Sequence, residues 1–321
     1  MRRAVVWVLA HLFRSSLSEC TTPASGTSRS RSHSETMSER LEKVEGGVGK
    51  ENDLVLKPAE SSESVDEVVV FFGGDIQDFP EAMMKHRDNR RYVQWNLEYM
   101  ATLMGSHFPR GHCIVVRPRR LQFLTFSCYD NFVSGNDMGA PTHEFNVTGL
   151  EHFHKLLVST TERLNARTNK YWHAVGSEIQ EKPLILIGFS KGCVVLNQIL
   201  YAIKALELNP DDELCAFVSR IREMYWLDGG HAGGSNTWVT KEVILKAFAQ
   251  QDIKVNIHVT PYQVLCNSRP WIGKEEKGFR ETLKKLGMDV SRKLHYADEQ
   301  PSLEMHFKLL EEFKPRAAPV N

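Results

Sequence analysis

The chain is 321 residues long, 41% hydrophobic and 25% charged, which suits a folded domain with room for a tail. Its 40 basic and 40 acidic residues cancel, so overall charge announces neither nucleic acid nor an anionic membrane as a partner. No apolar run reaches the ~18 residues of a spanning helix, and no transmembrane segment is expected.

In chain order, Arg2 and Arg3 precede the short apolar run Ala4–Phe13, the pattern of a targeting segment. Arg2, Arg3, Arg14, Arg29 and Arg31 with a single acid, Glu19, suit a mitochondrial address. A secretory address, with cleavage near Ser16-Leu17-Ser18, is the alternative. We read residues 1–34 as the leader and 35–64 as a disordered linker. Residues 14–64 are rich in Ser, Thr, Glu and Gly and hold few large apolar side chains with which to offset ordering entropy. The folded domain is expected over 65–315, with 316–321 as a loose tail. Five cysteines follow Cys20, widely spaced and without CxxC, so neither a disulfide framework nor a metal site is expected.

Within the domain, continuous apolar runs alternate with helical patterns. The runs are Val68–Phe72, Cys113–Val116, Leu184–Ile187, Met224–Leu227, Val255–Val259 and Lys293–Tyr296. Unbroken apolar runs suit strands covered on both faces. Helical stripes fall between them: Val93, Leu97, Met100, Ala101 and Met104, then Leu150, Phe153, Leu157 and Leu164. Later stripes are Val195 to Leu206, Val239 to Phe248, and Leu303 to Phe313. Such alternation predicts an α/β fold, α/β-hydrolase-like, with a mainly parallel sheet and helices on both faces.

Gly188-Phe189-Ser190-Lys191-Gly192 joins a buried strand to a buried helix. A serine there sits on a sharp strand-to-helix turn with its hydroxyl at the carboxyl edge of the sheet. The flanking glycines are expected because side chains at those positions would collide across so tight a turn. Ser190 needs a base, and the base an orienting carboxylate, in the chain order Ser, acid, His. Asp228, at the end of Tyr225-Trp226-Leu227 and before Gly229-Gly230, is the candidate acid. The position after Val259 offers Thr260-Pro261-Tyr262-Gln263 and no carboxylate. His306, early in the last helix, is the candidate base; His295 and His231 are weaker candidates, and His258 reads as structural. For the oxyanion, we expect the N–H of Lys191 and that of Gly74 or Asp75, in the turn Phe72-Gly73-Gly74-Asp75. Tyr129–Phe132 and Tyr262–Trp271 are expected to shape the pocket, and the Lys191 side chain to be a solvated charge.

With these segments, and with Leu227 to His231 and Arg269-Pro270-Trp271, the stretch Val65 to Phe313 resembles the eukaryotic family of human chromosome-two open reading frame sixty-nine. The resemblance implies a mitochondrial protein with an α/β-hydrolase-like fold and a serine-hydrolase triad. It also implies a link to glycogen-branching enzyme and energy metabolism, and brings no substrate with it. The function expected is hydrolysis of a small-molecule carboxylic ester or thioester through Ser190, Asp228 and His306, without metal or organic cofactor. The alternative is a hydrolase-fold protein that binds or scaffolds a partner without turnover.

Overall fold

Eight strands form the central sheet of the computed structural model, which describes residues 38–60 and 64–316. They are β1 Glu39–Glu45, β2 Glu51–Lys57, β3 Glu67–Phe72, β4 Gly111–Val116, β5 Leu184–Phe189, β6 Ile221–Leu227, β7 Lys254–Val259 and β8 Val290–Leu294. Their order across the sheet is β1-β2-β4-β3-β5-β6-β7-β8. Only β2 runs against its neighbours; from β4 to β8 every adjacent pair is parallel. This is the mainly parallel, α/β-hydrolase-like architecture expected.

The continuous apolar runs divide by alternation between two cores. Val68, Val70, Phe72, Leu184, Leu186, Met224 and Trp226 face one side, with helices α2 (Thr148–Asn165), α3 (Cys193–Leu208), α4 (Glu242–Phe248) and α5 (Trp271–Lys285) packed on it. Val69, Phe71, Ile185, Ile187, Phe189, Tyr225 and Leu227 face the other, beneath α1 (Leu97–His107) and α6 (Leu303–Glu312). A strand buried on both faces has no polar positions to spare, which is why β5 is apolar or glycine throughout.

The domain starts earlier than the sequence reading placed it. Residues 39–57 of the expected disordered linker form β1 and β2, with Leu41, Val44, Leu54, Val55 and Leu56 in the core. The signal was broken by a bulge: the register shifts between Leu41 and Val44, and Lys43 takes φ +50°. Two inward residues three apart do not read as alternation. β1 is also an edge strand, where charged side chains are favoured. The last strand is Val290–Leu294 rather than Lys293–Tyr296, so His295 lies just beyond it. At the other end Arg316 is not loose: its guanidinium meets Asp289 at 2.6 Å, and its N–H donates to the Tyr225 hydroxyl at 3.1 Å. The expected leader and residues 317–321 lie outside the described residues.

Candidate active site

Ser190 is the first residue after β5 and adopts φ +51°, a strained value for a residue other than glycine. The two glycines have separate steric causes. A Cβ on Gly188 would lie 2.8 Å from the Cys193 backbone across the turn, and one on Gly192 only 1.9 Å from the Phe72 carbonyl of β3. A single turn of 3-10 helix, Ser190–Gly192, then leads into α3. Ser190 keeps 8% of its surface exposed.

Asp228 ends β6 at φ +48° and is fully buried. Its carboxylate accepts three hydrogen bonds: from the Thr260 N–H at 2.8 Å, from the Thr260 hydroxyl at 2.5 Å, and from Nδ1 of His306 at 2.6 Å. Gly230 follows for want of space, since a Cβ there would meet the Gln263 amide at 2.2 Å.

His306 sits in the first turn of α6, whose start is capped by Ser302 accepting from the Met305 N–H at 3.1 Å. Its ring lies between Phe189 and Tyr262, with centroids 4.5 and 5.1 Å away. Two rings and one carboxylate therefore set its orientation. Donation from Nδ1 to Asp228 leaves the lone pair on Nε2. Among the described residues no hydrogen bond engages Nε2 of His306 or the Ser190 hydroxyl. Catalytic hydrogen bonds are often long before substrate arrives.

The turn after β3 abuts the elbow: a Cβ on Gly74 would lie 2.9 Å from Cβ of Ser190. The Gly74 N–H already donates to Oε1 of buried Gln77 at 2.7 Å, so of the two expected donors only Asp75 keeps its N–H clear of that bond. The turn is braced further by the Tyr129 hydroxyl, donating to the Gly73 carbonyl at 2.9 Å, and by the Ser127 hydroxyl, donating to the Gly74 carbonyl at 2.7 Å. The Lys191 N–H lies in the first turn of a helix, where backbone donors lack intrahelical partners.

The Lys191 side chain corrects the expectation of a solvated charge. It is completely buried, donates to the Met138 carbonyl at 2.9 Å and lies 3.7 Å from Oδ1 of Asp75. Burial pushes the Asp75 carboxyl up from its ordinary range, while the Lys191 ammonium and the Ser127 N–H pull it back. The pair ties the two strand ends together at the site.

The remaining histidines do not join the cluster. His231 accepts the Gly233 N–H at Nδ1, 3.0 Å away, and its Nε2 meets the Asn236 carbonyl at 3.2 Å, so both nitrogens serve their own loop. His258 and His295 bond to each other, Nδ1 to Nε2 at 3.0 Å. The described cysteines are all free, and no group of metal-ligating side chains occurs among the described residues.

The sequence profile of the family described as C2orf69 matches residues 40–180 and 165–289. The chain belongs to that family. It is 39% identical over 285 residues to "Mitochondrial protein C2orf69" of Homo sapiens, covering 76% of this chain and 74% of the human one. It is 38% identical over 303 residues to the Mus musculus homologue, covering 82% of each. Among solved structures it is similar to an acylaminoacyl peptidase of Pyrococcus horikoshii, with TM-score 0.45 and 12% identity over 86% of this chain and 39% of that one. It is also similar to brefeldin A esterase, with TM-score 0.44 and 13% identity over 96% and 79% of the two chains.

Three participants escaped the sequence reading. Thr260 supports Asp228 through a hydroxyl rather than a carboxylate, and that hydroxyl directly after a strand end is its one sequence signal. Gln77 lies in the turn itself, three residues after Gly74, but a lone glutamine in a loop is no signal; Ser127 carried none, because only the folded chain brings it to the turn after β3.

Proposed function

We propose that this chain is a mitochondrial serine hydrolase acting on a carboxylic ester or thioester. The reading is carried by one observation: the 2.6 Å hydrogen bond from His306 to buried Asp228, made beside the elbow that presents Ser190. In this reading the Ser190 hydroxyl attacks the acyl carbonyl while Nε2 of His306 takes its proton. Asp228 holds the ring and stabilises the imidazolium. The N–H groups of Lys191 and Asp75 receive the developing oxyanion. Collapse expels the alcohol or thiol with the proton from His306, and water, activated the same way, releases the acid. The mitochondrial part rests on the relatives' printed names and on the arginine-rich start of the chain.

A fluorophosphonate probe tests the chemistry. Wild type should be labelled at Ser190, and Ser190→Ala should lose labelling while keeping its thermal midpoint. Labelling that survives Ser190→Ala would sink the assignment. The second reading is a binding or scaffold protein without turnover, favoured by the unengaged Ser190 hydroxyl and His306 Nε2. Wild type inert to the probe but restoring function in cells as well as Ser190→Ala does would support it. The link to glycogen-branching enzyme, implied by the family resemblance, is tested by co-purification of the two proteins from mitochondria.

A further inference from the structure

The hairpin Arg120–Gln122/Phe126–Cys128 ends in a tip that folding alone does not explain. Phe123 and Leu124 are 62% and 53% exposed, and both take left-handed φ, +53° and +56°. For bulky side chains that conformation costs roughly 1–2 kcal/mol per residue. Asn or Gly would hold it with less strain and expose no apolar surface. The tip is nevertheless fixed in place. Buried Asn89 donates its side-chain amide to the Leu124 carbonyl at 2.6 Å, and the Ile76 N–H donates to the Thr125 carbonyl at 2.7 Å.

Asn89 belongs to the segment Lys85-His86-Arg87-Asp88-Asn89-Arg90-Arg91, whose four cations are all exposed. Its one acid, Asp88, is bound by Arg87 at 3.1 Å, and nearby Glu81 is bound by Arg40 at 2.6 Å. Among the described residues Lys85, Arg90 and Arg91 close no salt bridge. The cancelled charge of the whole chain hides this local excess. Arg119 and Arg120, at the base of the hairpin, are by contrast each paired with an acid.

We infer that this edge is a docking surface for an anionic lipid bilayer, with Phe123 and Leu124 entering the headgroup–acyl boundary and Lys85, Arg90 and Arg91 on the anionic headgroups. Apolar insertion and basic attraction each give marginal binding alone and hold a protein together. A protein partner fits less well. A projecting pair of side chains is neither a groove nor the flat patch of several hundred Å² that a stable interface needs. The surface also has a definite place, because Ile76, hydrogen-bonded to the hairpin, follows Asp75 in the turn beside Ser190. Docking would therefore bring the turn beside the candidate site close to the lipid.

Co-sedimentation of the full chain with phosphatidylcholine vesicles, with and without phosphatidylglycerol, tests this surface. It reads binding alone, so its result is independent of the acyl-transfer reading. Wild type should bind the anionic vesicles, lose binding as salt rises, and ignore the neutral ones. At about fivefold per basic residue, Arg90→Gln/Arg91→Gln should lower partitioning by about twenty-five-fold. Phe123→Asn/Leu124→Asn should lower it about tenfold. Asparagine tolerates left-handed backbone, so the thermal midpoint of the second variant should stay level or rise, which excludes misfolding as the cause. Equal binding to neutral vesicles, wild-type partitioning by both variants, or no binding to either vesicle overturns the proposal.

Discussion

Two strand ends meet at the candidate site, and they are held by different means. The elbow after β5 is forced by close approaches within and beside five consecutive residues: Gly188 against Cys193, Gly192 against Phe72. The turn after β3 is held by Gln77 of its own loop and by side chains from elsewhere, namely Ser127, Tyr129 and Lys191. One of the elbow's collisions is local and the other is with β3, yet both fall on glycines of a single five-residue pattern. The turn after β3 shows no such pattern, since three of its four braces come from other elements.

The largest effect should be on the elbow. Gly192→Ala would set a Cβ 1.9 Å from a backbone carbonyl that cannot move without bending β3. A loss of about 4 kcal/mol or more is expected by urea denaturation. A loss below about 1 kcal/mol would show that the elbow is not sterically forced.

Lys191→Met comes next, because it unties the two strand ends without adding bulk. It leaves Asp75 without its counter-ion and Met138 without its donor. On the proposed chemistry kcat should fall about a hundredfold with KM little changed, as for loss of oxyanion stabilisation. If the two strand ends need no tie, kcat will not move.

A third test concerns the strand end that carries Asp228, whose N–H donates to the His258 carbonyl at 2.7 Å. Burial first, and then the neighbouring cations, push His258 down to about 3 and His295 down to about 4. The unfolded chain therefore binds protons that the folded one refuses. The stability this pair contributes is complete above the unfolded value of about 6.5 and is lost progressively as pH falls toward the folded values. Between pH 7 and 5 the urea midpoint should drop by an amount equivalent to roughly 2 kcal/mol for each of the two histidines. His295→Gln should flatten that slope.

The smallest effect should follow removal of one outside brace. Ser127→Ala orphans the Gly74 carbonyl and should cost about 1 kcal/mol, with only a few-fold loss of rate, measured by thermal melts and turnover. A much larger loss would mean that the turn has little support beyond this one bond.

The legible parts of this protein are those whose physical cause lies within a few residues. Unbroken apolar runs gave away strands buried on both faces, and a serine between two glycines at a strand end announced the elbow. Asp228 and His306 were legible as a position after a strand and a position in a helix. That they lie 2.6 Å apart was not, because they are 78 residues apart in the chain. β1 stayed hidden because a bulge erased its alternation, and an edge strand carries the charge of a loop.

The amino-acid sequence alone therefore determined the layered α/β class, the alternation of strands and helices, and the glycine–serine–glycine pattern of the elbow, since periodicity and turn chemistry act over short chain distances. Tertiary structure decided the rest: which carboxylate meets which imidazole, which side chains brace the turn after β3, and that a lysine at a helix start is buried. Those outcomes depend on partners brought together by the sheet order, and no local pattern encodes a distant partner.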